Sequence, residues 1–229
     1  MYIEKELDNE TSYKYFGARY YDSELSGWLS VDTNGKEIRI CCGLAFLGKQ
    51  KYITYTPRMQ YNGKNKFVRD VINSLNYIYS NADIQGIIQK LSNTSEIVEI
   101  AYGYYKYYNV EDRRIYFNIK GLEVYFINNG IIDTGKQFGA LGLFHELGHT
   151  FRDIFKHNEF NNDINIKDNE YDNIEERRVI EDYKTPAAII LNEGIRNNHK
   201  GKPFNTIDPR TTKTNEEHRN EYKCHVPML

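Results

Sequence analysis

The chain has 229 residues, 40% hydrophobic and 27% charged, which suits one ordinary domain with an appendage and a buried core. Its 30 basic and 32 acidic side chains leave a formal net charge of -2, which excludes a global field drawing in nucleic acid or an anionic membrane. Three cysteines, two adjacent at Cys41 and Cys42 and the third at Cys224, build no disulfide framework and offer no CxxC metal pair, so buried free thiols are expected.

No apolar run approaches the roughly 20 residues that span a bilayer, and the start "MYIEKELDNETSYKYFG" lacks the basic and apolar regions of an export signal. Neither a membrane span nor a signal peptide is therefore expected. The segment "YKYFGARYYDSELSGWLSVD", Tyr13 to Asp32, has aromatics and glycines without helical period, and "TNGKE" after it reads as a turn. An unsupported hairpin is marginal in water, so residues 1–37 are expected to form at most a loose appendage to a domain over 38–229.

From Ile38 onward the elements alternate in type. "IRICCGLAFLG" and "KYITYTP" carry the β-branched and aromatic residues of strands. In "NKFVRDVINSLNYIYS" the residues Val68, Val71, Ile72, Leu75 and Ile78 recur at spacings of three and four, predicting a helix with one apolar stripe. "NADIQGIIQKLSN" predicts a shorter helix capped by Asn81 or Asp83. "SEIVEIAYG", "RRIYFNI" and "LEVYFINNG" predict strands, with Asn-Gly in "INNG" and "YNGKN" signalling tight turns. A sheet of roughly four or five strands is expected before the next helix. The chain's 20 tyrosines cluster in "YGYYKYYNVEDRRIYF", where packing on a sheet explains them better than a stacking platform for a ligand.

That next helix is "GALGLFHELGHTFRDIF". Its HExxH pattern sets His145 and His149 one turn apart on one face, where both rings can direct a nitrogen at one tetrahedral ion. Glu146 projects beside that axis and is placed to act as general base toward an attacking water. The competing reading is two histidines that only hydrogen-bond within a helix. Gly148 costs roughly 1 kcal/mol against alanine, tolerable where another element passes close. A zinc site needs a third protein ligand, and the HExxHxxGxxH version is excluded because Arg152 and Phe155 stand at the relevant places. Asp153 lies one turn on, suited to hold a histidine N–H rather than an ion. The remaining sources are Glu175, Glu176, Glu181 and Glu193. His157, His199, His218 and His225 lie in polar contexts and are expected to stay off the metal.

Two resemblances complete the reading. Phe16, Gly17, Ala18, Arg19, Tyr20, Tyr21, Asp22, Glu24, Leu25, Trp28, Leu29, Ser30 and Asp32 resemble the segment that closes the core of RHS-repeat proteins, just before a variable C-terminal toxin. Ser23 stands where that family has proline. "LFHELGHTFRD", the Glu175-Glu176 pair and "LNEGIRNNHKGKPF" are similar to M91-type zinc metallopeptidases, effector proteins injected by bacteria, and the likeness runs from about Ile53 to Phe204. Asn192-Glu193 replaces the usual Glu-Asn, and Phe204 stands where arginine is usual. The resemblance implies an α+β, zincin-like domain with a small mixed or antiparallel sheet and an HExxH active-site helix. It implies Zn2+ held by His145, His149 and a downstream glutamate, Glu176 before Glu175, with Glu146 catalytic and Arg196 binding a substrate carboxylate or the oxyanion. The expected function is a zinc endopeptidase, the toxin end of an RHS-type protein, delivered into a target cell and matched by an immunity protein. A zinc hydrolase of a non-peptide amide and a binding module with a decayed site are the competing expectations.

Overall fold

The computed structural model describes residues 37–41 and 52–214, together with four strands in the first 30 residues. The readings at Cys42, Cys224, His218 and His225 lie outside the described residues. The four early strands, β1 (Glu6–Asp8), β2 (Tyr13–Phe16), β3 (Arg19–Asp22) and β4 (Gly27–Ser30), pair in sequence order as an antiparallel meander. Within the RHS-like segment the described residues are these paired strands, and the residues between them lie outside the described ones.

The main sheet has five strands: β5 (Glu37–Cys41), β6 (Tyr52–Tyr55), β7 (Ile97–Tyr102), β8 (Tyr107–Asn109) and β9 (Arg114–Phe117), in spatial order β6-β5-β7-β9-β8. β5 and β9 run parallel to β7, whereas β6 and β8 are antiparallel edges. Alternation decides which face is buried: Ile38, Ile40, Ile53, Tyr55, Val98, Ile100, Ile115 and Phe117 all enter the core. Joining β5 to its parallel neighbour β7 requires a crossover. That crossover contains β6, α1 (Lys66–Tyr79) and α2 (Gly86–Ser92). α1 buries the whole predicted stripe, and Asn65 Oδ1 caps it by accepting from Val68 N–H at 3.2 Å. α2 begins later than its sequence suggested and has no side-chain cap. Asn81 instead accepts from Asp83 N–H at 3.0 Å in the preceding turn.

The motif helix, α3 (Gly139–Phe155), is buried along most of its length, with Leu141, Leu143, Phe144, Leu147 and Phe151 in the same core as α1 and the main sheet. Before it comes a hairpin of β10 (Gly121–Asn128) and β11 (Ile131–Gln137), turned at Asn129 and Gly130 with φ of 48° and 78°. Those left-handed angles are what the Asn-Gly signal demands. After α3 follow α4 (His157–Asp163), a two-stranded ribbon of β12 (Lys167–Asp168) and β13 (Asp172–Asn173), α5 (Ile174–Arg178), a π-helical turn over Val179–Lys184, α6 (Thr185–Ile190) and β14 (Gly201–Phe204). β14 closes the second sheet in the order β11-β10-β14. The molecule is thus α+β: beside the early meander and the β12–β13 ribbon, its described residues form a five-stranded mixed sheet and a three-stranded antiparallel one. Gly148 has the neighbour its position asked for: a Cβ there would lie 2.9 Å from Val179 Cγ1, so the π turn seats against a bare stretch of α3.

Candidate metal centre and cleft

His145 and His149 sit on the buried face of α3 with their Nε2 atoms 3.2 Å apart. α5, which follows the β12–β13 ribbon, carries Glu176 to them. Its Oε2 lies 3.1 Å from His145 Nε2 and its Oε1 3.4 Å from His149 Nε2. One ligand atom from each of the three residues falls within 4.8 Å of the other two. His145 Nδ1 and Glu176 Oε2 are buried without a hydrogen bond. The Nε2 atoms of the two imidazoles and the Glu176 carboxylate face one another, an arrangement in which a proton satisfies one pair and a cation satisfies all three. The group can hold a metal ion.

Behind the histidines lies a buried ionic chain. Glu175 Oε1 is 3.1 Å from His149 Nδ1, and its Oε2 accepts from Arg152 Nε at 2.7 Å. Arg152, only 1% exposed, also donates from Nη2 to Asp163 Oδ2 at 2.7 Å. The chain fixes the His149 tautomer with Nδ1–H toward Glu175, leaving Nε2 to face Glu176 and His145. The adjacent glutamates thus divide their tasks, one facing the histidines' Nε2 atoms and one orienting a ring. Burial alone would pull the His149 pKa down, but Glu176 and Glu175 push it up to about 10. Burial drives His145 well below its ordinary value despite Glu176. Against burial, the two histidines hold the Glu176 carboxyl far below the usual carboxylate range.

The other carboxylates lie elsewhere. Asp153 accepts from Tyr108 O–H at 2.7 Å and lies 2.9 Å from His157 Nδ1, so the histidine it serves is not a member of the metal group. Glu181 pairs with Arg177 at the surface, 3.1 Å away. Glu193 accepts from Tyr77 O–H at 3.1 Å and from Phe138 N–H at 2.6 Å, which ties α1 to the start of α3.

Glu146 is buried and lines a cavity of about 450 Å³ together with His145, Lys106, Lys184, Arg196 and His199. Burial pushes its pKa up to about 7, with His149 opposing the shift. The Lys106 stem lies across Gly142, where a Cβ would meet its Cδ at 2.8 Å, and its amine donates to the Lys120 carbonyl. Lys184 arrives from the end of the π turn and is 2% exposed. Arg196 donates from Nη1 to the His199 carbonyl at 3.3 Å, and its buried Nε has no partner. Sequence reasoning set His199 apart from the site, yet its Nε2 is 3.4 Å from Glu176 Oε2, its Nδ1 meets Asp172, and its ring lies roughly parallel to that of His145. Nothing in the aperiodic "RNNHKGK" announces this; the position comes from His199 N–H donating to the Glu170 carbonyl at 2.8 Å. Tyr104 and Tyr105 stand exposed beside the cavity, whereas Tyr107 and Tyr116 stack across β8 and β9 as sheet packing predicts.

Fold and site together define an α+β protein in which two histidines of a buried helix and a glutamate of α5 form a group able to hold a metal ion, with a further carboxylate facing a cleft. Comparison with protein-family models, curated proteins and solved structures finds no match for the chain.

Proposed function

We propose that this chain is a zinc-dependent endopeptidase, the toxin end of an RHS-type protein. Convergence of His145, His149 and Glu176, with Glu146 turned to the adjoining cavity, carries the reading. Two imidazoles and one carboxylate with room beside them suit a catalytic zinc better than an all-oxygen cation. Zinc at such a site acidifies water and polarises a carbonyl. Glu146 accepts the proton of the attacking water and passes it to the departing amine nitrogen. Glu175 and Arg152 keep the His149 ring in place throughout. Arg196, with an unspent buried donor on the cavity wall, binds a substrate carboxylate or the developing oxyanion.

The RHS-like segment and the M91-like motifs support delivery into a target cell, with an immunity protein protecting a bacterial producer. The test of the enzyme reading is incubation of a proteome-derived peptide mixture with the zinc-loaded full chain and with Glu146→Gln. Cleavage should fall by about 10²–10⁴ in the variant while it still binds one zinc per chain. Equal cleavage by both proteins, or none by the zinc-loaded wild type, would sink the proposal.

A further inference from the structure

The cavity wall beside Glu146 has an imbalance of charge that amide hydrolysis alone does not require. Four cationic side chains line it, Lys106, Lys120, Lys184 and Arg196, against the single carboxylate of Glu146. Among the described residues none of the four is ion-paired with a carboxylate. Two of them are occupied locally: Lys106 donates to the Lys120 carbonyl, and Lys120 sits over the Tyr104 ring at 4.2 Å. Lys184 and Arg196 are different. They are 2% and 4% exposed, and the Arg196 Nε donor is unsatisfied. Burial, with the Arg196 and Lys106 charges, drives the Lys184 pKa well below its ordinary value against the pull of Glu146 and Glu176, so two buried donors on one cavity wall are fully offset only when an anion joins them.

We infer that Lys184 and Arg196 form a carboxylate-selecting subsite, filled by an Asp or Glu side chain of the peptide beside the bond to be cut. A planar carboxylate matches an arginine donor and an ammonium at once. A phosphate dianion would bring a second negative charge against Glu146 and Glu176, and so fits less well. Lys106 and Lys120 add a positive field at the same wall that draws an acidic segment toward it. The π turn is the device that delivers Lys184, because its wider i→i+5 winding changes which residues after Glu176 face the site. The assignment of the anion to a peptide rests on the endopeptidase reading; the existence of the subsite does not.

Two measurements on the zinc-loaded full chain test it, each with wild type, Lys184→Met and Lys184→Arg. In equilibrium binding, N-acetyl-aspartyl amide should bind about tenfold more tightly than N-acetyl-asparaginyl amide, and Lys184→Met, but not Lys184→Arg, should erase the preference. N-acetyl-alanine, with a free terminal carboxylate, shows whether a chain end fills the subsite instead of a side chain. In peptide-library cleavage, acidic residues should be enriched at one fixed position next to the cut. Lys184→Met should raise KM for those peptides about tenfold more than for their asparaginyl or glutaminyl counterparts, and Lys184→Arg should restore the difference. Selective binding without any cleavage would keep the subsite and remove the peptidase reading. Cleavage indifferent to acidic neighbours, with the aspartyl and asparaginyl amides binding alike, would remove the subsite and keep the peptidase.

Discussion

At the scale of single residues, the adjacent carboxylates Glu175 and Glu176 make separable predictions. Glu176 faces both histidines of the candidate metal group, so on the zinc proposal Glu176→Gln should abolish tight zinc binding. Among the described residues the Glu175 carboxylate pairs with His149 and Arg152 and not with His145, so Glu175→Gln should weaken zinc by about 10–100-fold while leaving one ion per chain, as loss of an orienting partner does. Competition with a chromogenic chelator measures both, and equal affinities for the two variants would contradict the division of labour. His145, Glu146 and His149 were legible in the sequence because a helix turns local spacing into geometry. Arg152 was not: only the fold brings Glu175 and Asp163 to its guanidinium. His199 and Lys184 were equally hidden, one in an aperiodic loop and the other at the end of an unforeseen π turn.

At the scale of elements, close seating of the π turn on α3 decides the outcome of Gly148→Ala. Helix propensity favours alanine by roughly 1 kcal/mol, but the new methyl would meet buried Val179 at 2.9 Å. Overpacking of that kind costs about 1–3 kcal/mol, so the variant should be no more stable than wild type in urea, and its zinc affinity should fall as α5 shifts. Glu193 makes a second prediction. Burial raises its pKa from the usual carboxylate value to about 7, with the Phe138 amide and Tyr77 hydroxyl opposing the shift. Between the unfolded value, which the shift starts from at 4.5, and about 7, the folded chain binds the extra proton, so this contribution to stability is full below 4.5 and is lost as pH rises toward 7. The loss is at most on the order of 3 kcal/mol, and Glu193→Gln should flatten that part of the stability profile in urea titrations at stepped pH. α1, α3 and the strands with alternating apolar residues were readable beforehand because their periodicity is written locally. β11, with the weakly patterned "IIDTGKQ", and β14, the short "GKPF", are held by pairing with β10, which no local pattern encodes.

For the whole molecule, the proposed zinc would act as a tie between parts distant in sequence. Two of its ligands belong to α3, which shares the main core with α1 and the five-stranded sheet, and the third belongs to α5, beyond α4 and the β12–β13 ribbon. Without zinc the same three side chains still attract one another, as the charged partners holding Glu176 low and His149 high indicate, so removal should loosen the molecule rather than unfold it. A ligand present at about 100 times its dissociation constant stabilises the state it binds by about 2.7 kcal/mol. For a domain of this size each kcal/mol moves Tm by roughly 2–4 °C. Chelation with EDTA should therefore lower Tm by about 5–10 °C, and dialysis against zinc should restore it. Glu176→Gln should lose most of that response, whereas Glu181→Gln, altered at a surface pair with Arg177, should keep it. A Tm unmoved by EDTA and zinc in the wild type would mean that the three side chains are held by hydrogen bonding alone, and the metal centre would have to be abandoned.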